Sequence, residues 1–160
     1  MKTLMKILLT MAIGLVGAAC GAQEAPQGGL IYCSYSCTGA AGLGKDFCEL
    51  VADPGATPKV VVALKVGNRF GEPEIHEEYP VDPEVVEALR AGLAERRVYL
   101  LNGYALEEDK NGGYTYRIYQ EYDSGEKVNA YWTGLDAKQE AWGAYWFIEK
   151  FFAPWREKAR

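Results

Sequence analysis

The stretch from Tyr114 to Thr133 constrains this chain more than any other. It reads Tyr-Thr-Tyr-Arg-Ile-Tyr-Gln-Glu-Tyr, then Asp-Ser-Gly, then Glu-Lys-Val-Asn-Ala-Tyr-Trp-Thr. Two aromatic and β-branched runs around a turn signal describe an antiparallel hairpin. With Asp123, Ser124 and Gly125 as a three-residue loop and Gly125 in the left-handed region, Tyr122 pairs with Glu126 and both strands are held in register. One face then sets Tyr116 opposite Trp132, Ile118 opposite Ala130 and Gln120 opposite Val128. The other sets Arg117 opposite Tyr131, Tyr119 opposite Asn129 and Glu121 opposite Lys127, the last a pair of opposite charge. A two-residue loop would set Glu121 against Val128 and Gln120 against Asn129; this mixes the faces, so the three-residue loop is expected.

Around the hairpin, Leu30 to Thr38 and Phe47 to Asp53 predict two short strands, the second ended by Pro54-Gly55. Lys59 to Val66 predicts a third, with Val60, Val62, Leu64 and Val66 on one face, before Gly67-Asn68 turns the chain. Glu74 to Tyr79, bracketed by Pro73 and Pro80, predicts a strand at a sheet edge. Asp82-Pro83 starts a helix whose Val85, Val86, Leu89 and Leu93 fall at helical spacing, with Arg96 and Arg97 near its end. Asp136 and Gln139 form a capping box for a last, aromatic helix expected to stop near Phe152, before Pro154. The fold class is therefore α+β: one domain over 30–160, a largely antiparallel sheet of about six strands (a meander, then the hairpin), with two helices packed on it.

The first nineteen residues read as an export signal: Lys2 and Lys6 lead, Ile7 to Val16 is apolar, and Gly17, Ala18 and Ala19 form the small-residue cleavage region. The apolar stretch is too short to span a membrane. Cys20 follows directly, and this placement resembles the bacterial lipoprotein signal, which implies lipidation at Cys20 and a membrane anchor; cleavage after Ala19 or Ala22 without lipidation is the alternative. Gly21 to Gly29 reads as a flexible tether. Without Lys2 and Lys6 the chain carries 15 basic against 22 acidic residues, a net −7. Such a surface has no long-range attraction for nucleic acid or anionic lipid, so nucleic-acid binding is excluded.

Cys33, Cys37 and Cys48 lie in a compartment where disulfides form. Extended strand would hold Cys33 and Cys37 about 13 Å apart, beyond bridging. A hairpin of the first two strands makes Cys37 with Cys48 the expected disulfide. Cys33 is then buried and free, or bonded to an unlipidated Cys20.

The helix before Leu101-Asn102-Gly103-Tyr104, then Gly113-Tyr114, the Asp-Ser-Gly hairpin and the aromatic last helix together resemble an uncharacterised domain of secreted and lipid-anchored bacterial proteins, over roughly Leu30 to Phe152. That family has no assigned activity, so no catalytic residue follows from the resemblance. Trp132-Thr133-Gly134 stands where its members have small residues.

Three places carry candidate chemistry. Gly39 to Asp46, Gly-Ala-Ala-Gly-Leu-Gly-Lys-Asp, has the glycine and lysine spacing of a phosphate-binding loop, but Asp46 replaces the hydroxyl that would hold magnesium, and a hairpin loop is the expected reading. Glu74, His76 and Glu78 share one strand face, a set that could hold a metal or act as an acid and base; charges that discourage edge pairing explain the same residues. No cofactor, metal or catalytic residue is assigned. Eleven tyrosines and four tryptophans are the third feature. Tyr119, Tyr131, Trp146 and Phe147 are the expected partner-binding aromatics. The leading expectation is a non-catalytic module of the cell envelope, exported and anchored by Cys20, that binds a protein or glycan. A small hydrolase or metal-dependent enzyme using His76, and a structural or inhibitory domain, are the alternatives.

Overall fold

The computed structural model describes residues 23–39, 45–65, 74–107 and 113–160. The signal segment, Cys20, most of the glycine-rich loop after Gly39 and the Gly67-Asn68 turn lie outside them. The elements run β1 (Leu30–Thr38), β2 (Lys45–Val51), β3 (Lys59–Lys65), β4 (Glu74–Pro80), α1 (Pro83–Glu95), a 3-10 turn (Val98–Leu101), β5 (Ala105–Leu106), β6 (Thr115–Tyr122), β7 (Lys127–Thr133) and α2 (Gln139–Ala159). They form one seven-stranded sheet in the order β4-β3-β2-β1-β6-β7-β5.

β1 to β4 are the expected meander, β4 is the expected edge, and the β6–β7 hairpin docks β6 antiparallel to β1. The hairpin register is the one read from the sequence, from Tyr116 with Trp132 to Glu121 with Lys127. Its loop is closed by Tyr122 N–H to Glu126 O at 3.0 Å and Gly125 N–H to Tyr122 O at 2.9 Å, with Gly125 at φ 89°. The seventh strand was not foreseen. β5 has two residues, parallel to Tyr131 and Trp132 of β7, too few to show alternation. Tertiary bonds create it: Gly103 N–H to Asn129 O and Tyr131 N–H to Tyr104 O, both 3.0 Å, with Asn102 Oδ1 accepting from Asn129 N–H at 3.1 Å.

Strand alternation sends one face of the sheet inward. Cys33, Tyr35, Cys48, Leu50, Val60, Val62, Ile118, Val128, Ala130 and Trp132 meet Val86, Leu89 and Leu93 of α1 and Ala141, Tyr145, Ile148 and Phe152 of α2 in a single core. Both helices therefore cover the same face, and among the described residues the opposite face of the sheet carries none. α1 begins as expected, with Asp82 extended before Pro83, although the Asp82 side chain makes no capping bond.

α2 departs from expectation at both ends. It starts two residues late for the Asp136 capping box, with Lys138 at the cap and no side-chain cap bond. It also runs through Pro154 to Ala159. A proline here removes the bond to the carbonyl four residues back and ordinarily costs about 3 kcal/mol. Tertiary contacts on both sides offset that: Phe152 is fully buried, Trp155 packs on Phe151 and Phe152, and Arg156 is pinned by carboxylates. The tether is corrected as well. From Gln23 onward it lies against the domain, through Gln23 Nε2 to Tyr99 O (2.7 Å), Gln27 N–H to Glu126 (3.1 Å) and Gly29 N–H to Asp123 (2.8 Å). Gly28 makes this approach possible, since a Cβ there would sit 2.4 Å from Asp123 Oδ1.

Candidate functional site

The helix-free face of the sheet is built from the alternate residues of each strand. Paired across β2, β1, β6 and β7 are Phe47, Ser36, Arg117 and Tyr131, and next to them Glu49, Ser34, Tyr119 and Asn129. At its centre Tyr32, Ser34, Ser36, Phe47, Arg117 and Tyr119 line a shallow depression of about 390 Å³. The serines form a hydroxyl floor between aromatic walls. Tyr32 and Tyr119 meet edge to face at 5.8 Å. Each ring is held by its hydroxyl: Tyr32 donates to Glu49 and Tyr119 donates to Glu121, which also takes Lys127 Nζ at 3.0 Å. Burial, then the bond to Glu49, raises the Tyr32 phenol above its usual range, and the bond to Glu121 raises that of Tyr119. Both phenols thus remain donors. Arg117 Nε donates to Asn129 Oδ1 at 3.2 Å, which orients the guanidinium over the face, and Tyr131 donates to Glu107 at 2.9 Å. Rings locked in place beside hydroxyls and a planar cation can stack on and hydrogen-bond a polar, ring-shaped ligand without losing side-chain freedom.

The sequence-predicted aromatics fall in different places. Tyr119 and Tyr131 belong to the open face together. Trp146 is on α2, 55% exposed and stacked on Trp142 at 6.0 Å. Phe147 is half-buried, its ring turned towards α1 with the Arg96 guanidinium 4.0 Å above it. A Cβ on Gly92 would lie 2.3 Å from its Cζ, so the glycine in α1 is what lets the ring in. Tyr32, Phe47, Ser34, Ser36 and Arg117 complete the depression and were not singled out from sequence. β1 alternation puts Tyr32, Ser34 and Ser36 on one face, but only the long-range pairing of β1 with β6 brings them to Tyr119.

No protein-family model matches the chain, and no curated protein matches it. The reading of the site therefore rests on its own geometry.

His76 lies on the same open face at the β4 edge, exposed, with Nε2 4.0 Å from Glu78 Oε1. Glu78 is instead bonded by Lys59 at 2.9 Å, which holds its carboxyl below the usual range. Among the described residues no three His, Cys, Asp or Glu side chains converge to hold a metal ion.

The disulfide is corrected by the β1–β2 register. Cys37 stands opposite Asp46 and Cys48 opposite Tyr35, so the two thiols are diagonal, and Cys33, Cys37 and Cys48 are all free. Burial pushes the Cys48 thiol up to about 12 and raises Cys33 and Cys37 as well. These thiols pack as small apolar groups and are poor nucleophiles. The unfolded thiol ionises near 9.0, whereas folded Cys48 keeps its proton to about 12, so between those values the unfolded state binds fewer protons and stability falls as pH rises. One pH unit above the unfolded value, the Cys48 thiol is expected to remove about 1.4 kcal/mol. Urea midpoints measured from neutrality upward should decline beyond pH 9.0. The decline should be smaller in a Cys48→Ala variant.

Proposed function

We propose that this chain is an exported envelope module, anchored through Cys20, that binds a glycan partner on the open face of its sheet and carries out no chemistry there. One observation supports this reading above the rest. A sheet face without helices holds a preorganised depression walled by Tyr32, Phe47 and Tyr119, floored by Ser34 and Ser36, and flanked by Arg117. Hydroxyls, a planar donor and fixed aromatic edges suit sugar rings, and the depression lies within the volume range of small-ligand sites. The resemblance to a domain of lipid-anchored bacterial proteins supports the envelope address. Calorimetric titration with polysaccharide fragments from the host envelope is the direct test. Phe47→Ala and Tyr119→Ala are each expected to weaken binding by about 1–2 kcal/mol, or roughly tenfold. Equal affinity in parent and variants would place the ligand elsewhere.

Trp146 favours a second reading, in which α2 meets a protein, because a half-exposed tryptophan stacked on another ring is a typical interface anchor. A crosslinked pull-down from envelope extract, with Trp146→Ala beside the parent, separates the two readings. A partner lost with Trp146→Ala but kept with Tyr119→Ala supports the protein surface. For His76 the expectation is that His76→Ala changes neither glycan binding nor any hydrolysis of the bound fragments.

A further inference from the structure

Although the mature chain is acidic, one hollow on its surface is basic. A cavity of about 400 Å³ between the end of α1, the 3-10 turn and the start of α2 is lined by Arg96, Arg97 and Lys138 with Glu140, Val98, Leu100 and Leu101, and Arg96 is also paired with Glu95 at 3.2 Å. Two of the three cations are braced by aromatic rings. Arg96 lies 4.0 Å over Phe147, and Lys138 Nζ lies 4.5 Å over Tyr104. Arg97 holds the left-handed conformation at φ 52°, the one non-glycine residue with positive φ among the described residues. Leu100, on the same 3-10 turn, is 48% exposed. This combination of cations around an exposed leucine matches an anionic headgroup above an acyl boundary.

The path of the chain supplies the second, independent observation. Gln23 is bonded to the carbonyl of Tyr99, the residue between Val98 and Leu100 in that turn. Cys20 is three residues upstream, so its reach from this point is at most about 10 Å. A lipid on Cys20 therefore holds a bilayer close to the 3-10 turn and to the start of β7 beside it, where Gln23 lies with Tyr99, Glu126 and Lys127. We infer that the Arg96, Arg97, Lys138 and Leu100 pocket is the membrane-facing site of the domain and holds the phosphate of an anionic phospholipid. The inference rests on the anchor at Cys20. The tether supplies the effective concentration, so a small patch suffices despite the net negative charge. Docking this way fixes the orientation of the domain on the bilayer.

The test is hydrogen exchange on the full chain purified from its own membrane fraction and reconstituted in vesicles of either neutral or anionic phospholipid. The amides of 96–101 should exchange on the order of tenfold more slowly on anionic than on neutral vesicles, from the attraction of the three cations. The effect should vanish in an Arg97→Asn, Lys138→Gln double variant. Asparagine accepts the left-handed backbone, and Arg96 is left in place to hold Phe147, so the fold is retained. Equal exchange on both vesicle types overturns the proposal. The same protection from inorganic phosphate without vesicles overturns the lipid assignment and makes this a pocket for a soluble anion. Intact mass settles the anchor separately: an unmodified Cys20 sinks the envelope-anchor reading by itself. The inference falls with it, because the tether that supplies the effective concentration is then missing.

Discussion

Trp132→Ala is expected to lower the unfolding free energy by about 3–5 kcal/mol, at the top of the range for a large buried side chain. Trp132 is fully buried near the end of β7 and is the hub of the aromatic cluster. It stacks on Tyr116 at 5.8 Å and meets the edges of Trp142 at 5.4 Å and Tyr145 at 5.9 Å, with Tyr104 at 6.3 Å. Truncation leaves a cavity bounded by β6, β7 and α2 that rigid rings fill poorly. The Nε1–H of Trp132 is buried and finds no partner among the described residues, so part of the native stability is already forfeited there. Trp132→Phe also removes that orphan donor but keeps most of the ring volume, and should therefore cost distinctly less than Trp132→Ala. Urea unfolding with an unchanged slope reads the difference. Equal losses in the two variants would show that the ring volume kept by phenylalanine does not support the cluster, since both variants remove the orphan N–H.

Arg156→Ala is expected to cost a similar amount, about 3–5 kcal/mol, for an electrostatic reason. Arg156, only 16% exposed, donates to Asp46 at 2.9 Å and to the Tyr35 hydroxyl at 3.0 Å, and pairs with Glu149. Burial opposes its charge, but Tyr35, Glu149 and Asp46 more than offset this and keep the guanidinium protonated. Without it, two half-buried carboxylates face each other across the end of the core, and the turn of α2 beyond Pro154 loses its clamp. Hydrogen exchange should speed up first in 153–159, while β6 and β7 keep their protection relative to global unfolding. Replacing the ions together, with Asp46→Asn, Glu149→Gln and Arg156→Met, should recover much of the loss, since it strands no charge. A triple variant as unstable as Arg156→Ala would show that packing by the arginine stem, and not the ions, holds the helix end.

The local rules carried far in the hairpin. Asp-Ser-Gly sets the loop and alternation sets the faces, so the register from Tyr116 to Lys127 followed from adjacent residues alone. Val60, Val62 and Leu64, and the Asp82-Pro83 start of α1, were legible for the same reason, because spacing and backbone preference act within a few residues. The candidate site was half legible. Arg117, Tyr119 and Tyr131 share a face by alternation within the hairpin, but Tyr32 and Phe47 join them only through the docking of the hairpin on β1.

Tertiary structure decided the rest, by means no short window contains. The register of β1 on β2 put Tyr35, not Cys37, opposite Cys48, and so left three thiols free. Buried contacts from Phe152 to Arg156 outweighed the break expected at Pro154. Gly92 lets the Phe147 ring turn towards α1. The net charge of −5 is a property of composition, whereas the basic hollow at Arg96, Arg97 and Lys138 exists because α1 ends where α2 begins in space. Sequence determines what each residue prefers over one turn or one strand; which preferences prevail is set by the burial free energy that only long-range packing supplies.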